Sequence, residues 1–76
     1  MPPLTAGQRI GALIRARARQ KNMNQAQLGL ALGLAQSRIS DRLRGVIAFN
    51  VDELAAIADL LDIPFADLVA DAVPAA

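Results

Sequence analysis

Two glutamines in the middle of the chain, Gln25 and Gln36, are the residues whose type and spacing are most informative. Their amides are suited to binding a ligand through hydrogen bonds. A glutamine amide can pair with both N6 and N7 of adenine, and the first turn of a helix offers N–H groups to a phosphate. This pattern indicates a base contact by Gln36 and a phosphate contact at Gln25. The alternative for Gln25 is that it is merely a polar residue in a first helical turn.

The residues that follow Gln36 form the rest of the candidate reading surface. If Ile39 faces the core, a turn of about 100° per residue places several polar side chains on the opposite face or on its flanks. These residues are Ser37, Arg38, Ser40, Asp41 and Arg44. Gln36 itself lies nearer the core edge, so it reaches a base only if this helix enters the major groove by its N-terminus.

Asp41 has two interpretations. A carboxylate that faces DNA weakens non-specific binding, and it can accept a hydrogen bond from cytosine N4, which would make Asp41 a selective contact. It could equally hold Arg38 or Arg44 in place through an ion pair. Arg44, one turn further along, is expected to contact a phosphate or a guanine.

Charge is divided unequally along the chain. Residues 1–40 carry six basic side chains and no acid, whereas residues 41–76 carry two basic and seven acidic side chains. This asymmetry favours a polyanionic partner for the basic half, with solvated helix faces as the alternative. Arg19 and Lys21 are expected to hold the DNA backbone, because they stand close to Gln25. Arg9 and Arg15 are left outside the site.

Five short helices are predicted to position these residues. Capping residues and a proline suited to a first turn mark four helix starts, at Thr5, Asn24, Asn50 and Pro64. Gln8 and Glu53, three residues after Thr5 and Asn50, are expected to complete capping boxes there. The predicted helices cover residues 6–21, 25–32, 35–44, a segment after Asn50, and 65–72, with Pro74 beyond the last. The sequence therefore predicts a compact all-α domain over residues 6–72, with a flexible arm at 1–5 and a tail at 73–76.

Residues 24–44 have the spacing of a helix-turn-helix. Two short helices that cross steeply need apolar anchors, a small residue where they touch, and a turn residue that tolerates positive φ. All of these are present: the anchors are Leu28, Leu32, Leu34 and Ile39, the small residue is Gly29, and the turn residue is Gly33. The sequence therefore predicts that the second helix of this motif carries Gln36 into the major groove.

Residues 25–29 (QAQLG) and 33–40 (GLAQSRIS) resemble the helix-turn-helix of the phage repressor and Cro family, the lambda-repressor-like or XRE-type regulators. Residues 51–58 and 61–64 resemble the fourth helix of that family and its exit, so the resemblance covers about residues 8–71. It implies the five-helix repressor fold and sequence-specific binding, usually as a homodimer, to a near-palindromic operator in double-stranded DNA.

The resemblance also implies roles for the two glutamines. In this family the glutamine that opens the second helix contacts a phosphate and braces the glutamine that opens the third helix, which reads a base. The matching positions here are Gln25 and Gln36.

Three residues depart from the family pattern. Ala35 stands where a Ser or Thr cap is common, at a cost of about 1 kcal/mol, and Gly29 replaces a commoner alanine, at a cost of up to about 1 kcal/mol. Arg42 stands where many members bury an apolar residue. Its stem is expected to lie over Phe49, with the charge reaching solvent or a phosphate.

A dimer surface is implied by the same resemblance, at the fifth helix and the exit of the fourth. Its candidate contacts are Phe65, Leu68 and Val69. In a chain this small, these residues could instead close the core of the monomer.

The leading hypothesis is a transcriptional regulator that binds operator DNA. No effector domain is recognised in these 76 residues, so regulation is expected to depend on concentration, dimerisation or a partner. The alternative is an antitoxin-like or other protein-interaction module, which binds a partner protein through its acidic C-terminal half and also binds DNA.

Other classes of function are disfavoured by composition. The chain has neither cysteine nor histidine, which argues against an enzyme, a metal site or a cofactor. No segment is long and apolar enough to span a membrane, and the N-terminus lacks the apolar core of a signal peptide. A cytoplasmic protein is therefore expected.

Overall fold

A computed structural model describes residues 3–70, and within that range the regular structure is entirely helical. The helices are α1 Ala6–Gln20, α2 Gln25–Leu32, α3 Gln36–Leu43, α4 Val51–Leu61 and α5 Phe65–Ala70. The predicted all-α, five-helix fold is confirmed, with α1 one residue shorter than expected and α3 one residue shorter at each end. The expected end of the fifth helix at residue 72, Pro74, the tail at 73–76 and the first two residues of the arm lie outside the described residues.

Three helices begin with a capping box, in which two residues three apart satisfy each other's backbone N–H groups. In α1, Thr5 Oγ1 accepts from the Gln8 N–H at 3.1 Å, and Gln8 Oε1 accepts from the Thr5 N–H at 2.8 Å. The same exchange joins Asn24 with Gln27 and Asn50 with Glu53. The boxes at Thr5 and Asn50 were predicted, and the reciprocal bond from Gln27 is an addition.

The turn between α2 and α3 closes tightly at two glycines. Gly33 ends α2 with φ of 71°, in the left-handed region that the spacing required. The N–H of Leu34 then donates to the carbonyl of Gly29 at 2.8 Å. A Cβ on Gly29 would lie only 2.7 Å from the carbonyl oxygen of Leu34. The glycine that costs α2 helix propensity is therefore also what lets the turn fold back onto the helix.

The core lies where the five helices meet. Its fully buried large side chains are Ile14, Leu28, Ile39, Leu43, Ile57, Leu61 and Leu68. Two of the four predicted anchors, Leu28 and Ile39, belong to it, whereas Leu32 and Leu34 are partly buried and pack against its edge. The core is thus aliphatic, as the composition suggested, and every helix contributes at least one side chain to it.

The helix pairs in closest contact are α1 with α3, α2 with α3, α4 with α5, and α4 with α1 and α2. Helix α3 therefore packs against both α1 and α2. Within residues 3–70, none of the helices has both the length and the apolar character needed to cross a lipid bilayer.

Candidate nucleic-acid interface

Helix α3 presents its polar residues to solvent and its apolar residues to the core. Ile39 and Leu43 are fully buried. The side chains predicted to read DNA are all at least partly accessible: Gln36, Ser37, Arg38 and Arg44 are exposed, and Ser40 and Asp41 are half-buried. The helix is therefore strongly amphipathic, and its polar face is accessible to a ligand as large as double-stranded DNA.

Ala35 stands at the N-cap of α3, and its side chain makes no capping hydrogen bond. Its backbone is extended, with φ of −61° and ψ of 151°, as an N-cap requires. The first-turn N–H groups of α3 at Gln36 and Ser37 have no intrahelical acceptor, because helix geometry leaves them without one. The leading end of α3 thus combines free backbone donors with the amide of Gln36.

The start of α2 lies beside two arginines of α1. An open pocket of about 330 Å³ is lined by Arg15, Ala18, Arg19, Met23, Asn24, Gln25 and Leu28. The positive end of the α2 dipole and the side chains of two arginines therefore border one cleft, which is a favourable place for a phosphate. The structure brings Arg19 and Gln25 together as the sequence suggested.

Arg15 was left outside the site on sequence grounds, and the structure brings it to the pocket that holds Arg19 and Gln25. It also lines a second pocket, of about 220 Å³, with Leu4, Gln8, Ala12, Leu43 and Arg44. Arg15 therefore stands between the start of α2 and the end of α3. The signal that could have found it is its four-residue spacing from Arg19, which puts both side chains on one face of α1.

Asp41 is paired with Arg44. Arg44 Nη2 donates to Asp41 Oδ1 at 2.6 Å, one helical turn along α3. Of the two interpretations of Asp41, the ion pair is thus the one formed in the free protein, and its partner is Arg44. The Arg44 side chain remains more than half exposed, so it can still turn towards a phosphate or base.

The expectation for Arg42 was wrong in one respect. Its charge does not extend to solvent, because Arg42 Nε donates to Glu53 Oε1 at 3.0 Å, and the two side chains are only 14% and 13% exposed. Glu53 was recognised in the sequence only as a capping residue of α4. Its second role could not be foreseen, since the pairing depends on how α3 and α4 approach each other.

Lys21 also has a carboxylate partner that the sequence did not reveal. Its Nζ donates to Asp62 Oδ2, the residue that ends α4 with a left-handed φ of 54°. This hydrogen bond and the positive charge of Lys21 lower the pKa of the Asp62 carboxyl. Lys21 is not among the residues that line the pocket around Arg19 and Gln25.

The three candidate dimer contacts are placed differently. Leu68 is fully buried, so its side chain follows the alternative given for these residues and closes the core of the monomer. Val69 is partly buried against that core. Phe65 is 40% exposed and is the member of the set whose side chain offers most surface to a partner.

Within residues 3–70, acidic side chains nowhere gather in a group of three or more that could hold a metal ion.

Comparison with known proteins identifies the family. A helix-turn-helix family model matches residues 13–68, which is most of the chain and includes α2, the turn and α3. No match was found among curated proteins or among solved structures. The matched family consists of DNA-binding regulators of transcription, and it is not an enzyme family. With the helices, the turn and the exposed face of α3 in place, this chain belongs to the XRE-type, Cro/C1-like helix-turn-helix family of DNA-binding regulatory proteins.

Proposed function

We propose that the protein is a sequence-specific regulator of the phage repressor and Cro type, which binds operator DNA by inserting α3 into the major groove. The observation that carries the proposal is the division of α3, where Ile39 and Leu43 are buried and the polar face is accessible. Gln36 opens the helix, so it is the first side chain to meet the base edges when α3 enters end-on. Ser37, Asp41 and Arg44 follow along the groove.

A backbone phosphate at the edge of the groove would be held by the cleft at the start of α2. Arg15 and Arg19 supply charge there, and the first turn of α2 supplies N–H donors beside Gln25. These contacts fix the register of the protein on DNA but do not select a sequence. In this proposal, α1 and α2 bind phosphates, and α3 contacts the bases.

The operator is proposed to be near-palindromic and bound by a homodimer, since each protomer presents a single recognition helix. Phe65 is an exposed large apolar side chain on α5 that could contribute to the dimer contact, together with the partly buried Val69 of the same helix. The place of action would be the cytoplasm or nucleoid, where such operators lie.

The decisive experiment is selection of bound sequences from a library of random double-stranded DNA. An enriched motif is expected, present as two inverted copies about one helical turn apart if a dimer binds. Recovery of unenriched DNA by a folded protein would contradict sequence-specific binding. Recovery of a single unpaired motif would retain base reading and exclude the dimer.

The phosphate contacts are tested through the dependence of binding on salt. Replacing Arg15 or Arg19 with alanine should lower the slope of log K against log salt by about one unit for each lost contact. Arg17 is the matched control, since it lies on the same helix, is exposed, and is not among the residues lining the cleft. If all three variants lowered the slope equally, the cleft would have no special role.

A protein partner is the second candidate function, as in an antitoxin. An open groove of about 400 Å³ lies between α2 and α4 and is lined by Ala31, Leu32, Ala56, Asp59 and Leu60. Leu30, next to this groove in sequence, is 84% exposed, which is unusual for a leucine on a helix. Copurification of a stoichiometric toxin-like protein, lost on replacing Leu30 with lysine, would favour this function.

A further inference from the structure

Arg42 and Glu53 form an ion pair that is largely withdrawn from solvent. Arg42 is the penultimate residue of α3, and Glu53 is the third residue of α4. Nε of the arginine lies 3.0 Å from Oε1 of the glutamate, and their side chains are 14% and 13% exposed. The other two ion pairs described in residues 3–70, Lys21 with Asp62 and Arg44 with Asp41, are considerably more exposed.

Each partner is also bound to the backbone of a helix. Glu53 Oε1 accepts from the N–H of Asn50 at 3.0 Å as well as from Arg42, so one oxygen serves both the cap of α4 and the ion pair. Arg42 Nη1 donates to the carbonyl of Arg38 at 3.2 Å, one turn back in α3. The pair therefore ties the backbone of α3 to the first turn of α4.

This link joins two helices that otherwise touch little. Helix α3 packs closely on α1 and α2, whereas α3 and α4 are not among the helix pairs in extensive contact. Besides the apolar core that both helices share, the C-terminal end of α3 and the first turn of α4 are joined directly by this side-chain bridge. An apolar residue at position 42 could fill the same space, but it would not fix a direction.

We infer that Arg42 and Glu53 are positioning residues, which set the angle at which α3 presents Gln36 to the bases. The inference rests on the proposed function. Gln36 stands six residues before Arg42, which at about 1.5 Å per residue is a lever of roughly 9 Å. A tilt of about 10° at Arg42 would therefore move Gln36 by roughly 1.5 Å, enough to break a bidentate contact with a base.

The energetics agree with a role in geometry. Withdrawing two charges from water costs much of what their attraction returns, so such a pair adds little to stability compared with apolar packing. Breaking it leaves a charge without its partner in a place of low water access. The bridge is therefore better suited to holding one orientation of α3 than to raising the free energy of unfolding.

Two variants weaken or remove the bridge with little other change: Glu53→Gln removes the charge from one side of the pair, and Arg42→Met removes the donor from the other. In Glu53→Gln the amide oxygen can still accept from Asn50, because glutamine serves in a capping box, but the negative charge is lost. Arg42→Met keeps an unbranched apolar stem and removes the guanidinium. Asp52→Asn is the matched control, since Asp52 lies beside Glu53 in the first turn of α4 and is exposed.

The measurement is affinity for the selected operator and for random DNA, each over a range of salt. Glu53→Gln and Arg42→Met should weaken operator binding about tenfold, the order of one lost base contact, and leave random-DNA affinity and its salt slope unchanged. Asp52→Asn should preserve the ratio of the two affinities. Arg42→Lys, which keeps the charge, should recover part of the loss.

Two results would overturn the inference. If Arg42 instead contacted a phosphate, Arg42→Met would weaken binding to both DNAs and lower the salt slope by about one, while Glu53→Gln would strengthen both. If the bridge only stabilised the fold, both variants would lower the melting temperature. At temperatures well below their melting points, they would then keep the ratio of operator affinity to random-DNA affinity of the unmodified protein.

Failure of the proposed function is recognised separately. It would be seen as an absence of sequence preference in the unmodified protein, and the inference about operator selection would fall with it. Amide hydrogen exchange without DNA reports the bridge itself. Glu53→Gln should speed amide exchange at Leu43 and Arg44, at the end of α3, more than at Ile14 in α1. If exchange at Leu43 and Arg44 were as slow in this variant as in the unmodified protein, the link between α3 and α4 would be refuted, even for a protein that selects its operator.

Discussion

Gly11 of α1 lies directly against the backbone of Leu43 in α3. A Cβ built on Gly11 would stand 1.9 Å from the carbonyl oxygen of Leu43, closer than any two such atoms can approach. Both residues are buried. The recognition helix is therefore seated on α1 through a contact between two backbones, and the absence of a side chain at position 11 is what allows it.

Replacing Gly11 with alanine should destabilise the protein severely. The added methyl group meets backbone, which cannot rotate away, so the helices must separate, and a loss of about 3 kcal/mol or more in the free energy of unfolding is expected. Urea denaturation followed by circular dichroism measures it. Gly7→Ala is the control on the same helix, because its Cβ would meet nothing nearer than 3.4 Å. Gly7→Ala should raise the free energy of unfolding by up to about 1 kcal/mol, because alanine has the higher helix propensity. An equal change in the free energy of unfolding for both variants would contradict the close contact at Gly11.

Ala35→Ser should stabilise the protein. The N-cap of α3 already has the extended backbone of a capping residue and lacks only the side-chain acceptor, so a serine hydroxyl should add about 1 kcal/mol. Asn24→Ala at the N-cap of α2 is the reverse change, since it removes an acceptor that the Gln27 N–H uses at 2.8 Å. Asn24→Ala should lower the free energy of unfolding by about as much as Ala35→Ser raises it. A serine variant no more stable than the parent would mean that its hydroxyl does not reach the first turn.

The Lys21–Asp62 pair should make a small, pH-dependent contribution to stability. Lys21 lowers the pKa of Asp62 below 3.8 in the folded chain, so folding favours the ionised carboxylate. The contribution is present above the ordinary Asp pKa and is lost as the pH falls through the lower, folded value. Asp62→Asn should therefore lower the melting temperature at neutral pH, and its effect should shrink as the pH falls and the parent carboxyl becomes protonated. The same difference at neutral and at low pH would exclude the ion pair as its cause.

Gln36→Ala should weaken binding to the selected operator by about 1–3 kcal/mol and leave binding to random DNA nearly unchanged. The reason is that a base contact contributes only where its base is present. Fluorescence anisotropy with the two DNAs measures this difference. Gln20→Ala, at an exposed position at the end of α1, serves as the control. An equal loss on both DNAs would show that Gln36 binds backbone.

Asp41→Asn should tighten binding to random DNA several-fold and reduce the preference for the operator. The change removes a negative charge from the groove-facing side of α3 and releases Arg44, now held at 2.6 Å, to find phosphates. Asp59→Asn makes the same change in net charge on α4, at an exposed residue that borders the α2–α4 groove. If both variants tightened binding equally, the effect would be one of net charge alone.

The sequence by itself determined the helices and the turn of this protein. Thr5, Asn24 and Asn50 start helices through hydrogen bonds to residues three positions away, and Gly33 ends one by its own backbone freedom. These are local interactions, so their partners can be read directly from the spacing of residue types. The amphipathic pattern of α3 is local in the same sense, which is why Ile39 could be assigned to the core and Ser37 to the surface.

The tertiary structure decided which side chains meet across helices. Arg42 found Glu53 eleven positions away and Lys21 found Asp62 forty-one positions away, so neither pair follows from a helical repeat. Arg15 came to the α2 cleft, and Leu68 entered the core, for the same reason. These contacts depend on the angles at which the helices cross and on the close approach of α1 to α3 that Gly11 allows. Neither can be read from the sequence, because both depend on the packing of the whole core.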